Sequence, residues 1–190
     1  MKHQALVAAA LLGALSLAQA QSVSYTIEPT HTFVTYEIAH FGTSTNRGRF
    51  DKKEGTVQLD RQAKTGRVDI SFELASVNTG VPAMDKHLLN KDFFDAEKYP
   101  KARFVGEQFS FDGDKVTAVA GQLTLRDQTH PVTLTAQRFN CYRHPMFMKT
   151  VCGGDFEATI DRTLWGIDYG IKWGFPKDVK LVIQVEAVQQ

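Results

Sequence analysis

Alternation of apolar and polar side chains runs through most of this chain. Between residues 31 and 41, Val34, Tyr36, Ile38 and His40 share one face, and Phe33, Thr35, Glu37 and Ala39 share the other. A period of two places successive side chains on opposite faces of a strand, so this segment reads as half-buried β structure. The pattern returns at Val68, Ile70, Phe72 and Leu74, again at Val119, Gly121, Leu123 and Leu125, and again at Phe156, Ala158 and Ile160. Shorter runs at 24–28, 56–60, 102–111, 131–139 and 179–188 read as further strands. Polar stretches at 42–48 and 61–66 read as turns. Asp112-Gly113-Asp114 reads as a hairpin turn, because Asp-Gly favours the positive φ such turns require.

One long stretch breaks the alternation: MDKHLLNKDFFDAEKYP, residues 84–100. Leu88, Leu89, Phe93 and Phe94 form an apolar stripe at helical spacing, with Asp85, Lys86, Lys91 and Asp92 largely off it. Pro100 ends the segment, because proline disfavours helical geometry in the residue before it. A short apolar helix in an all-β chain needs a surface to cover, and the mouth of a barrel supplies one. Eight or nine strands joined by hairpin-type turns fit a sandwich or an up-and-down barrel. Closure into a barrel is favoured because alternation covers nearly every strand and closure removes exposed edges. The expected fold is all-β, an eight-stranded antiparallel barrel with a short helical segment near 84–99. Small inward residues (Ala102, Gly106, Gly121, Ala158) would leave part of its interior unfilled.

The N-terminus changes where this barrel is expected to work. Lys2, an uncharged apolar run from 5 to 17 and the Ala18-Gln19-Ala20 site together read as a secretory signal peptide over residues 1–20. That run is well short of the ~20 residues needed to cross a bilayer. The remaining chain, 21–190, reads as one domain of a soluble exported protein, expected in the periplasm, with secretion to the medium as the alternative. Lys2 is the only charged residue before Gln21, so of 22 basic and 21 acidic residues, 21 of each remain. A balanced surface gives no general reason to bind nucleic acid or acidic lipid. Cys141 and Cys152 are the only cysteines. In an oxidising compartment they read as one disulfide, stabilising the fold by roughly 3 kcal/mol on the chain-entropy view. It would pin the loop between them as a surface hairpin or lid.

Catalytic signatures are absent: there is no G-x-S-x-G elbow, H-E-x-x-H pair, phosphate loop or haem site. No catalytic residue and no metal site is therefore expected. His31, His40, His87, His130 and His144 are not paired at metal-ligand spacing. Asp85-Lys86-His87 is open to two readings: Asp85 capping the helix and His87 bonding a loop carbonyl, or His87 meeting a ligand headgroup. Phe93, Phe94, Phe104, Trp165, Tyr169 and Trp173 are many large rings for one domain. They suit either a packed core or an apolar cavity.

Taken in order, the motifs resemble the YceI-like family, periplasmic polyisoprenoid-binding proteins with a lipocalin-like barrel. The resemblance rests on YTIEPTHTFVTYEIAHF (25–41), Gly48-Arg49-Phe50, Asn78-Thr79-Gly80, Asp85-x-His87-Leu88 and Asp92-Phe93-Phe94-Asp95. It continues through Tyr99-Pro100, Phe104, Gly121-x-Leu123-Thr124-Leu125, Pro131-Val132-Thr133-Leu134 and Asp161-Arg162. Glu28, Thr32 and Met84 stand where the family usually has Asp, Ser and Arg.

The resemblance implies a long apolar cavity holding an isoprenoid chain, such as a polyprenyl quinone or phenol, or a similar amphiphile, for transport or storage. No cofactor is expected beyond that lipid. The residues expected to hold it are Val34, Tyr36 and Ile38 with Phe72 on the strands, and Leu88, Phe93 and Phe94 near the helix. Phe104, Leu123, Ile160, Trp165 and Ile167 complete the apolar set, with His40 and His87 towards the polar end. Three alternatives stand beside carriage: a scavenger of small hydrophobic compounds, an enzyme using His87 and Asp85 on an isoprenoid or quinone, and a purely structural protein with a filled barrel. A homodimer through the aromatics of 165–173 is also conceivable.

Overall fold

A computed structural model of the protein describes residues 22–190. The expected signal peptide lies outside the described residues. Eleven strands form one sheet: β1 (Val23–Ile27), β2 (Phe33–His40), β3 (Ser44–Phe50), β4 (Lys53–Asp60), β5 (Thr65–Glu73), β6 (Val77–Asn78), β7 (Lys101–Asp112), β8 (Lys115–Leu125), β9 (Gln128–Arg143), β10 (Thr150–Asp161) and β11 (Asp178–Gln189). The α1 helix (Pro82–Leu88) lies between β6 and β7.

The sheet closes on itself. The β11 strand pairs with β10 on one side and with both β1 and β2 on the other. In turn β1 pairs with β4 and β2 with β3, while β5 pairs with β4 and β6 with β3. Thus β1/β2, β3/β4 and β5/β6 are three kinked staves. With β7 to β11 they make a closed antiparallel barrel of eight staves.

The first kink shows what the Pro29 region does. The Glu28 carboxylate accepts from the Thr30 and His31 amides at 3.2 and 2.7 Å, and its Oε2 lies 2.7 Å from His31 Nδ1. Thr32 is fully buried. Its hydroxyl donates to the Glu186 carbonyl at 3.1 Å and accepts from the Glu186 amide at 3.2 Å. One hydroxyl thereby satisfies both backbone groups of β11 where the ladder passes from β1 to β2.

Several expected boundaries move. Of the polar stretch 42–48 only Gly42 and Thr43 turn; 44–48 begin β3, paired with β2 from His40↔Ser44 to Val34↔Phe50. Its partner makes it a strand; its own residues carry no apolar alternation. The helix spans only Pro82–Leu88, and 89–99 folds as successive turns. There the Asn90 side chain accepts from the Asp92 amide at 2.9 Å, and Asp95 takes a positive φ of 50°. Asp85 is not the cap, since Val81 precedes the helix. Instead its carboxylate reaches back to the Thr79 amide and hydroxyl, both at 2.7 Å.

The expected void beside Gly106 and Gly121 is also filled. A Cβ on Gly106 would come within 2.5 Å of a Val119 methyl, and one on Gly121 within 2.3 Å of the Val105 carbonyl oxygen. Strand packing, not cavity space, needs glycine at these facing positions. The cysteines form the expected disulfide, Cys141 directly opposite Cys152. The hairpin they pin turns at the same end as β7–β8 and β4–β5.

Candidate functional site

Inward faces of the staves leave a cavity of about 830 Å³ along the barrel. That is within the ~300–1,000 Å³ typical of small-molecule sites. Its floor, at the end carrying the β7–β8 and β9–β10 turns, is made of buried residues such as Tyr25, Leu59, Val116 and Ala187. Its mouth lies at the opposite end, between the β2–β3 turn, α1 and the β10–β11 connection. Phe41, Val81, Met84 and Trp173 line the cavity there and are also exposed, which marks the rim.

Polar groups gather near the mouth: Tyr36, His40, Thr45, Asn46, Arg47, Thr79, His87, Arg162 and Tyr169 all line it. Tyr36 lies opposite Gly48, and its ring covers the space where a larger residue would put its Cβ. Burial, with the Asp85 carboxylate adding to it, pushes the Tyr36 phenol up to about 12. The hydroxyl therefore stays neutral and can donate to a ligand oxygen.

The β10–β11 connection is held by Asp161-Arg162. Arg162 is buried, and its guanidinium donates to the carbonyls of Pro176, Ile167 and Tyr169 at 3.0, 3.1 and 2.9 Å. One side chain thus gathers three turns of the connection into one side of the mouth. Hydrogen bonds from Lys177 and Thr163 hold the Asp161 carboxyl down at about 2. Its Oδ1 accepts from the Thr163 amide at 3.1 Å, capping the turn that carries Arg162.

The structure brings thirteen of the fourteen expected site residues to the cavity wall: Val34, Tyr36, Ile38, His40, Phe72, His87, Leu88, Phe93, Phe94, Phe104, Leu123, Ile160 and Ile167. Trp165 is the exception. It is only 1% exposed, does not border the cavity, and donates its indole N–H to the Leu123 carbonyl at 3.2 Å. It packs inside the mouth end of the barrel against His130, which lies opposite Leu123 and shares its inward face. His40 meets Phe41 and Phe175 edge-on, at 5.0 and 5.2 Å between ring centres. The His87 ring sits edge-on to Phe93 and Tyr169, at 4.9 and 5.2 Å, rather than on a loop carbonyl. With Asp85 turned to Thr79, the two are arranged as mouth structure rather than as a paired acid and base.

The largest group of lining residues missed from sequence is on β11, where Val179, Leu181, Ile183, Val185 and Ala187 all face the cavity. Their alternation was sufficient to find them. Rim residues Phe41, Tyr169, Trp173 and Phe175 come from turns, where no periodic signal exists.

A family model described as the YceI-like domain matches residues 25–187. The chain belongs to this family. It is 36% identical to a UPF0312 protein of Pseudomonas syringae pv. tomato over 196 residues, covering 100% of both chains. It is 34% identical to Protein YceI of Escherichia coli O157:H7, covering 86% of this chain and 84% of that one. Among solved structures, a Campylobacter jejuni YCEI protein matches with a TM-score of 0.67 and 23% identity, over 80% of this chain and 90% of that chain. A polyisoprenoid binding domain from Saccharophagus degradans, implicated in plant cell wall breakdown, matches with a TM-score of 0.64 and 14% identity, over 88% and 99%. These solved neighbours share the YceI-like barrel.

Proposed function

We propose that this protein holds the hydrocarbon tail of a long isoprenoid amphiphile, of the polyprenyl quinone or phenol type, and carries or stores it in the periplasm. The observation that carries this reading is the shape and polarity of the cavity. It is mostly apolar along its length, buried at its floor, where Tyr25 adds one hydroxyl, and its other polar side chains gather towards its mouth. A tail would fill the barrel while a quinone or phenol headgroup stayed near Tyr36, His40 and His87. Burying a dozen methylenes offers roughly 10 kcal/mol before association costs are subtracted. The polyisoprenoid-binding description of the S. degradans domain agrees in ligand class. Export fits the N-terminal segment and the Cys141–Cys152 disulfide.

A quinone quenches tryptophan emission, and Trp173 stands at the rim while Trp165 is sealed away. Titration with a prenylated benzoquinone should quench emission saturably at one quinone per chain, and most of that quenching should vanish in Trp173→Phe. Quenching that never saturates, or is unchanged in the variant, would count against a seated headgroup at the mouth. Equal affinity for unrelated apolar dyes would favour the scavenger.

A further inference from the structure

The β9–β10 hairpin carries features that the cavity does not use. On one side β9 pairs with β8 only from Gln128 to Thr135, yet it pairs with β10 as far as Arg143↔Thr150. The β11 strand supports β10 as far as Val151↔Val188, one residue short of the start of β10. The turn at the end of the hairpin, residues 144–149, therefore stands beyond the last β11 pair as a short arm, and the Cys141–Cys152 disulfide joins its two strands in the barrel wall below.

At its tip Met146, Phe147 and Met148 are 82%, 47% and 54% exposed. The tip is folded. The His144 amide donates to the Lys149 carbonyl at 2.8 Å, and the Met148 amide to the His144 carbonyl at 2.9 Å. The His144 ring stacks on Phe147 with 3.6 Å between ring centres. Two residue choices here run against folding alone. Three adjacent apolar side chains face water, where they add nothing to the core. Met148 also adopts a φ of 54°, a conformation that glycine or asparagine takes at less cost. Turns built only for folding and solubility favour Gly, Asn, Asp or Ser.

The charge along the hairpin end itself has one sign. Arg143, His144 and Lys149 flank the tip, and no Asp or Glu occurs from 140 to 154. The acids at the root of the arm are engaged: Glu186 accepts from the Tyr142 hydroxyl at 3.2 Å, and Asp155 pairs with Arg138. An apolar tip bracketed by cations matches an interface whose surface is anionic and whose interior is hydrocarbon.

We propose that this tip docks the protein on an anionic lipid bilayer. Met146, Phe147 and Met148 enter the interface, and Arg143 and Lys149 stay at headgroup level. The tip lies at the floor end of the barrel, so a docked molecule keeps its mouth free.

The test is flotation of the full protein, as its own cells export it, with vesicles of phosphatidylglycerol and phosphatidylethanolamine, against neutral phosphatidylcholine vesicles. Wild type should float with the anionic vesicles and do so less at higher salt. M146S/F147S/M148S should lower the partition coefficient by roughly tenfold or more, since three buried apolar groups are lost. R143Q/K149Q should weaken binding to anionic vesicles and remove most of the salt dependence. All these side chains are exposed, so circular dichroism and thermal unfolding should match wild type. All variants share one N-terminus, so residues 1–20 contribute equally wherever they are retained. Absence of wild-type flotation, or flotation unchanged in the triple variant, would overturn the proposal. So would flotation lost only when the mouth is altered by F41S/W173S, or loss of self-association in place of vesicle binding.

Discussion

Replacing Leu134 and Ile183 together by tryptophan is expected to block the cavity while leaving the barrel folded. Both side chains point inward, from β9 and β11, and both are only partly buried, packed against the core on one side and bordering the cavity on the other. Overpacking is costly where a core is full, by about 1–3 kcal/mol. Here the added rings grow into open space, so the cost should fall below that range. Denying a tail even four methylenes forfeits about 3 kcal/mol. At 1.4 kcal/mol per decade, affinity for a prenylated quinone should fall by about two orders of magnitude. The check is quinone titration beside a denaturant unfolding curve. A double variant that is folded and binds like wild type would place the tail somewhere other than the barrel.

Trp165→Ala is expected to have the largest effect on stability, a loss of about 3–5 kcal/mol. Its indole is buried, its N–H bonds the Leu123 carbonyl, and its ring meets His130 edge-on at 5.0 Å. Removing it leaves a void in the packed interior beside His130 at the mouth end of the barrel, and an N–H bond to β8 is lost with it. Trp165→Phe keeps much of the packing and should cost less. Since Trp165 lies outside the cavity, Trp165→Phe should bind quinone with near wild-type affinity. Guanidinium unfolding measures the first effect and titration the second. A stable alanine variant would mean the indole is a passive filler. Lost binding in the phenylalanine variant would mean it shapes the mouth.

The contrast between Trp165 and its neighbours shows what could be read from sequence. Alternation reports which face a strand residue takes, so Val34, Tyr36, Ile38, Phe72, Leu123 and Ile160 were correctly turned inward. It is silent in the 162–177 connection, where backbone turns decide direction. There Tyr169 reaches the cavity and Trp165, four residues earlier, does not. Leu88, Phe93 and Phe94 reach the wall as expected, although only Leu88 is helical; the turns after α1 present the two phenylalanines inward all the same. The β3 strand was invisible because STNRGRF has no apolar period, and its structure comes from pairing with β2. Its polar residues nonetheless matter, since Thr45, Asn46 and Arg47 form part of the mouth. Arg162 was legible as part of a motif. Its work, three carbonyls gathered by one buried guanidinium, was visible only once the turns were folded around it.

The barrel's occupant is the most direct test of the central claim. Native mass spectrometry on protein purified from its own envelope fraction, followed by solvent extraction and mass analysis of the released lipid, reads it without choosing a probe. The account predicts one adduct per chain whose mass resolves into isoprene repeats on a quinone or phenol headgroup, absent from the Leu134→Trp/Ile183→Trp variant. A bare protein mass from cells that contain such lipids, or an adduct that survives in the blocked variant, would contradict it.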